Sequence, residues 1–209
     1  MILEQLPLGP MANFIYILGD SGTKKVAIVD PAWDVPAILH RVEQLGATLE
    51  SVLLTHGHHD HVNGLEELLE RHSVPVYLSE HEAEFYTPEV EGLVRTKDME
   101  VIHVGDLAIE CIHAPGHTPG GQCFRMGNHM ITGDTLFVGA CGRTDLPGGN
   151  TETLYETLDM LKTLPDETII YPGHAYGDAT TDTIGNQKLT NPFLYSRNQT
   201  EFSRKRNWA

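Results

Sequence analysis

The run His56-Gly57-His58-His59-Asp60-His61 constrains this chain more than any other stretch, because His56, His58, Asp60 and His61 are all metal-binding side chains. Neutral imidazoles and ionised carboxylates are the ligands that divalent transition metals take, and so dense a polar cluster is costly to fold around without an ion. His56 and His58, two positions apart in extended chain, point to one side. Asp60 and His61 lie beyond a turn and can point elsewhere. That spacing suits two adjacent ions better than one.

The pattern around the cluster says what carries it. A strand at Ser51 to Leu54 runs directly into it, and the apolar spacing of Gly64 to His72 predicts a helix leading away. The cluster thus occupies a strand-to-helix loop, where α/β folds place their sites. Upstream, strands are expected at Phe14 to Leu18 and Lys25 to Val29, then a helix from Asp34, its cap, to Leu45, with Gly46 as the stop. Downstream come a strand at Val76 to Leu78, a helix at Glu80 to Tyr86, and strands at Glu100 to Val104 and Leu107 to His113. His117 follows in Ala114-Pro-Gly-His-Thr-Pro-Gly-Gly121, where the flanking Pro and Gly limit the loop and favour a preorganised ligand.

Two further strands, Gln122 to Met126 and His129 to Thr132, lead into Gly133-Asp134-Thr135-Leu136-Phe137. Alone, Asp134 reads as a turn residue or helix cap; beside the other clusters it reads as a carboxylate whose two oxygens bridge two ions. A helix is expected at Thr151 to Leu161, then a strand at Thr168 to Tyr171 that ends in Pro172-Gly173-His174. His56, His58, His117, Asp134 and His174 therefore all follow predicted strands, and such ends can converge on one rim of a sandwich. The other histidines, His40, His59, His72, His81, His103, His113 and His129, fit no ligand pattern.

A length of 209 residues, 40% of them hydrophobic, suits a single domain over 1–209 with a short C-terminal extension from about 183. The formal charge of -15 argues against a broad phosphate-binding surface and so against a nucleic-acid partner. The one basic concentration, Arg204-Lys205-Arg206, reads either as a solvated tail or as a docking point for an acidic substrate tail. No Lys or Arg precedes Lys24, and the run Phe14 to Leu18 is too short to span a bilayer, so neither secretion nor membrane insertion is expected. Cys111, Cys123 and Cys141 show no CxxC spacing, which suits reduced thiols in a cytoplasm.

The motifs His-x-His-x-Asp-His at 56–61, Pro-Gly-His-Thr around His117, Gly-Asp-Thr-Leu-Phe around Asp134 and Pro-Gly-His at 174 together resemble the metallo-β-lactamase superfamily across nearly the whole chain. The resemblance implies an α/β fold, a four-layer αββα sandwich with two mixed sheets face to face and helices outside. It implies two divalent metal ions, zinc first, with iron or manganese as alternatives. His56, His58 and His117 would hold one ion and Asp60, His61 and His174 the other, with Asp134 between them. Asp30, in Val29-Asp30-Pro31, looks like the family's early aspartate, a supporting group near the site; a turn-initiating Asp before Pro is the other reading.

Within the superfamily, Cys141-Gly-Arg-Thr-Asp145 and His174-x-Tyr176 look like glyoxalase II, the hydroxyacylglutathione hydrolases, and like the persulfide dioxygenases. Arg143 and Tyr176 match positions that contact glutathione in glyoxalase II, whereas Asp145 stands where those hydrolases tend to carry an aromatic residue. The stretch from Thr183 to Leu194 resembles the ending of short single-domain relatives. The expected activity is cleavage of a small-molecule thioester, such as an S-(2-hydroxyacyl)glutathione, by a metal-bound hydroxide, with Asp60 and Asp134 as catalytic carboxylates. Persulfide oxidation at a single ferrous ion is the alternative.

Overall fold

The computed structural model describes residues 1–206. Apolar strands in the first half assemble one sheet: β1 (Ile2–Leu8), β2 (Asn13–Gly19), β3 (Lys25–Val29), β4 (Thr48–Leu53), β5 (Val76–Ser79) and β6 (Leu93–Thr96) lie side by side in chain order. The pairs β1–β2 and β2–β3 are antiparallel, and those from β3 to β6 are parallel. Parallel neighbours need crossovers. The helix α1 (Val35–Gln44) supplies the first, and α2 (His59–Val62) with α3 (Leu65–Arg71) the second. The Asp34 side chain caps α1 by accepting from Ala37 N at 3.0 Å, and Gly46 beyond its end adopts φ +60°.

The second half repeats the plan with β7 (Val101–Val104), β8 (Leu107–His113), β9 (Gln122–Met126), β10 (His129–Gly133), a small hairpin of β11 (Leu136–Phe137) and β12 (Ala140–Cys141), the helix α4 (Thr151–Leu161), β13 (Ile169–Pro172) and β14 (Asp182–Thr183). Its sheet order is β14-β13-β10-β9-β8-β7. Among the described residues only its β10–β13 pair is parallel, with Gly133 opposite Pro172. The helices α5 (Ile184–Thr190) and α6 (Gln199–Arg206) follow.

Three apolar clusters show four layers. Phe14, Tyr16, Leu18, Val29 and Leu53 from the first sheet meet Ile109, Phe124 and Ile131 from the second, so the sheets pack face to face. The opposite face of the first sheet, with Ile15, Ile17 and Ile28, buries Ile38 of α1 and Leu68 of α3. That of the second, with Cys123, Met130 and Ile170, buries Leu154 and Leu158 of α4, Ile184 of α5 and Phe202 of α6. The architecture is the αββα sandwich.

The segment 80–86 is not the expected helix; only a 3₁₀ turn at Glu84–Tyr86 forms. The cause is Glu82, whose buried carboxylate accepts from its own neighbour Ala83 N at 2.9 Å and from two other loops, an alternative to helical bonding. The edge strands β1 and β6 carry too little continuous apolar sequence to announce themselves. The basic stretch 204–206 is the last turn of α6 rather than a solvated tail: Phe202 is fully buried against Tyr155 and Phe193, and Lys205 Nζ donates to Pro192 O at 2.7 Å. Among the described residues no helix is long and apolar enough to cross a membrane.

Replacing Phe202 by Ala should cost about 3–5 kcal/mol of unfolding free energy, the usual loss for a buried phenyl ring. Urea unfolding reads it directly, and a loss well under 1 kcal/mol would show that α6 contributes little to the second core.

Candidate metal centre

The site is assembled at one rim of the two sheets, where strand ends meet. β4 ends just before Thr55, β8 before the loop carrying His117, β10 before Asp134 and β13 before His174. The rims are tied together: Gln122 N donates to Thr55 O at 2.9 Å, its Nε2 to Leu54 O at 2.8 Å, and Phe14 N to Gly173 O at 2.8 Å. Two glycines permit the close approach. A Cβ on Gly57 would collide with the Tyr86 carbonyl, and one on Gly173 with Asp134 Oδ1.

Three donor groups result among the described residues; one, of Asp30, His56 and His61, lies behind the two trios that face the cavity. His56, His58 and His117 offer nitrogens that all lie within 4.8 Å of one another, as do the donors of Asp60, His61 and His174. His58 Nδ1 stands 3.1 Å from His56 Nε2 and 2.9 Å from His117 Nε2. A tetrahedral ion with Zn–N bonds of about 2.0–2.1 Å spaces its ligand atoms by about 3.3 Å, close to these separations. Asp134 lies between the trios, with Oδ1 3.4 Å from His61 Nε2, and Oδ2 3.3 Å from His174 Nε2 and 3.6 Å from His117 Nε2. Asp60 Oδ2 is 3.4 Å from His174 Nε2 and 3.6 Å from His61 Nε2.

The outer nitrogens explain why the inner ones are available. His117 Nδ1 donates to Arg143 O at 2.7 Å and His174 Nδ1 to Met11 O at 2.9 Å. His61 Nδ1 donates to Asp30 Oδ2 at 3.0 Å. Thr55 Oγ1 gives its proton to Asp30 Oδ2 at 2.6 Å, which leaves its oxygen to accept from His56 Nδ1 at 3.0 Å. In these four rings Nδ1 is engaged outward and Nε2 faces the centre, whereas His58 turns Nδ1 to the centre and its buried Nε2 has no partner among the described residues. Lone pairs about 3 Å apart repel unless a cation lies among them. Asp134 Oδ1, buried in the cluster, has no hydrogen-bond partner among the described residues. These donors fit divalent metal.

Electrostatics agree. Burial, reinforced by neighbouring imidazoles, lowers the basicity of His56 and takes His58 down to about 4, so both are neutral at pH 7. Burial also works against charge on His61 and His174, but the facing carboxylates override it: Asp134 and Asp30 raise His61, and Asp134 with Asp60 takes His174 up to about 9. Burial opposes ionisation of Asp60 and Asp134 as well, and His174 and His61 more than offset it.

Asp30 is both the turn residue and the support. It has φ +53° and, almost fully buried, accepts from Thr55 N at 2.7 Å besides Thr55 Oγ1 and His61. Its oxygens are therefore committed, and we place it behind His61. Two supporting residues carry no sequence motif. Asn13 donates to Asp60 Oδ2 at 3.1 Å and is itself held by Trp33 Nε1 at 2.8 Å. Glu82 accepts from Gly57 N at 3.1 Å, Thr118 Oγ1 at 2.9 Å and Gly120 N at 3.3 Å, and so clamps the His56–His58 loop to the His117 loop. A buried acid inside an apparent helix was the only available signal for Glu82.

The centre opens into a cavity of about 730 Å³ whose wall includes Arg143, Asp145, Tyr176 and Arg206. Tyr176 stacks on His174, with ring centroids 4.6 Å apart and planes inclined by 6°. Arg143 does not face the cavity uncommitted: Nε and Nη2 hold Asp145 at 2.7 and 2.6 Å. Of the histidines without a ligand pattern, none joins a donor trio among the described residues.

The model for the metallo-β-lactamase superfamily matches residues 8–174. The chain is 33% identical to a hydroxyacylglutathione hydrolase of Haemophilus influenzae over 94% of its own length and 100% of that protein's. It is also 33% identical to the human mitochondrial persulfide dioxygenase ETHE1, over 93% and 76% of the two lengths. The crystal structure of ETHE1 from Myxococcus xanthus superimposes with a TM-score of 0.91 at 33% identity, covering 99% of this chain and 90% of that one.

Replacing Glu82 by Gln leaves one acceptor oxygen where two serve four donors and turns an NH2 group on the other pair, and zinc affinity in chelator competition should fall about 10–100-fold, as for other groups behind metal ligands. Unchanged affinity would mean that the loops hold their own positions. Stripping divalent metal from the wild type should lower the melting temperature, and zinc should restore it, because buried carboxylates lose their compensating charge.

Proposed function

Within the metallo-β-lactamase superfamily, to which this chain belongs, we propose that it is a dinuclear metallohydrolase cleaving small-molecule thioesters of the S-(2-hydroxyacyl)glutathione kind. The observation that carries the reading is Asp134 placed between two complete donor trios at the floor of the cavity. The similarity to a hydroxyacylglutathione hydrolase over 94% of this chain and 100% of that protein supports the substrate class.

Divalent ions held there supply Lewis acidity and bring the acidity of water to near neutral pH. The chain's own groups do the rest. His56, His58 and His117 form one set of nitrogens; His61, His174 and Asp60 form the second set. Asp134 positions the attacking water and accepts its hydrogen bond, and Asp60 fixes the second set with Asn13 behind it. No side chain need protonate the departing thiolate, a good leaving group at neutral pH. Cys141 lines the same cavity, but burial pushes its thiol up to about 12, so it remains protonated and is no nucleophile. The wall residues Arg143 and Tyr176 meet the thiol-bearing half of the substrate.

A second reading is persulfide oxidation at one ferrous ion, favoured by the similarity to the human persulfide dioxygenase and by Asp145 beside Arg143. Metal content and product separate the two. The hydrolase should release thiol from S-lactoylglutathione with two metal ions bound per chain. One iron per chain with oxygen uptake on glutathione persulfide would replace this reading. Asp134→Ala should lower kcat about 10²–10⁴-fold and reduce metal content together; retention of both would reject the two-ion centre.

A further inference from the structure

His58 is the exception among the imidazoles of the centre. The other four each set a nitrogen against an oxygen on the outside. His58 instead points Nδ1 at His56 Nε2 and His117 Nε2, and its Nε2 is buried with no hydrogen-bond partner among the described residues. An imidazole that serves an ion through Nδ1 carries its proton on Nε2. That N–H is thus withdrawn from water with no oxygen to meet, a standing cost unless something else receives it. Beyond its two partners in the trio, His58 packs against Tyr86, whose ring stands at 89° to it with centroids 4.5 Å apart. Perpendicular rings at that spacing bring the edge of one to the face of the other. An aromatic face is negative and an N–H edge positive, so the pair attracts.

Tyr86 is held in place by contacts that need no ion. It ends the 3₁₀ turn Glu84–Tyr86, where its N–H donates to Ala83 O at 3.0 Å. The next residue, Thr87, donates Oγ1 to the same carbonyl at 3.0 Å and accepts from Arg95 Nη2 at 3.0 Å. Glu82 clamps the start of the turn to the His56–His58 loop, and the Tyr86 carbonyl lies so close to Gly57 that no side chain fits there. The Phe85 ring flanks that of Tyr86 with centroids 4.5 Å apart. We propose that Tyr86 is a positioning residue for the His56–His58–His117 set, the face of its ring receiving the Nε2–H of His58 and so fixing the tautomer and tilt that aim Nδ1 inward. The role belongs to the ring rather than to the phenol oxygen. Phenylalanine can fill it, and an aliphatic side chain cannot. The inference rests on an ion at that set and is independent of which substrate is cleaved.

The test reads the His58 ring directly, by nuclear magnetic resonance of zinc-loaded protein carrying isotope-labelled histidine. The Nε2–H proton of His58 should resonate upfield of the outward ring N–H protons of His56, His61, His117 and His174. Ring current shields a proton over an aromatic face, whereas an oxygen acceptor deshields it. Tyr86→Phe should keep the upfield position and Tyr86→Leu should lose it. In chelator competition Y86L should bind zinc about tenfold more weakly at one of its two sites and as tightly as the wild type at the other, while Y86F should match the wild type at both. The undisturbed second site then reports that the variant is folded. A His58 N–H that resonates with the other four, or a Y86L that holds both ions as tightly as the wild type, would overturn the assignment. Should Y86L lose both sites together, the wild-type and Y86F spectra decide alone. One ion per chain with a shielded Nε2–H would end the two-ion reading and leave this one standing. Two ions with an unshielded Nε2–H would do the reverse.

Discussion

Asp30, Asp60 and Asp134 sit among five imidazoles at a place from which water is largely withdrawn, and ionised carboxylates so placed must be compensated by positive charge. Without an ion that charge comes from protons on His61 and His174, which is why those two are drawn upward while His56 and His58 fall. The chain thus contains two electrostatic compartments a few ångströms apart. One is an all-nitrogen trio and the other a mixed set of a carboxylate and two imidazoles, with Asp134 between them. Everything else at the rim serves to keep those groups from relaxing apart.

The sandwich does this by arithmetic of strand direction. Parallel β3 and β4 end together, which brings Asp30 beside Thr55, and parallel β10 and β13 end together, which brings Asp134 beside Gly173 and His174. Hydrogen bonds between the sheets, through Gln122 and Phe14, then fix one pair of ends against the other. Rigid strands supply position, and short loops with few free dihedrals supply direction. The left-handed backbone at Asp30 is strain stored where these demands meet.

The sequence made the inward-facing half of the centre legible because metal ligands cluster at short, fixed spacings and follow strands that alternate or run apolar. His56, His58, His61, His117 and His174 could be read from local patterns, and Asp134, locally a turn residue, only beside them. Glu82 and Asn13 could not: each acts across more than twenty residues of chain, and neither carries a motif. The helix expected at 80–86 failed for the same reason, since a propensity window does not register a carboxylate pulled into a distant loop. The edge strands β1 and β6 and the polar helix α6 were hidden because half-exposed elements have weak periodicity. Arg206 owes its place to that helix.

Two of the imidazoles are held from behind by main-chain carbonyls, those of Arg143 and Met11, rather than by side chains. The side chains of these same two residues line the cavity. Each residue therefore does two separable jobs: its peptide group steadies a histidine whatever side chain is attached, and its side chain is left to shape the cavity wall. Drift at positions 11 and 143 can retune what the enzyme accepts while the histidines stay where they are. A scaffold wired in this way can change customers over evolutionary time without having to reinvent its chemistry.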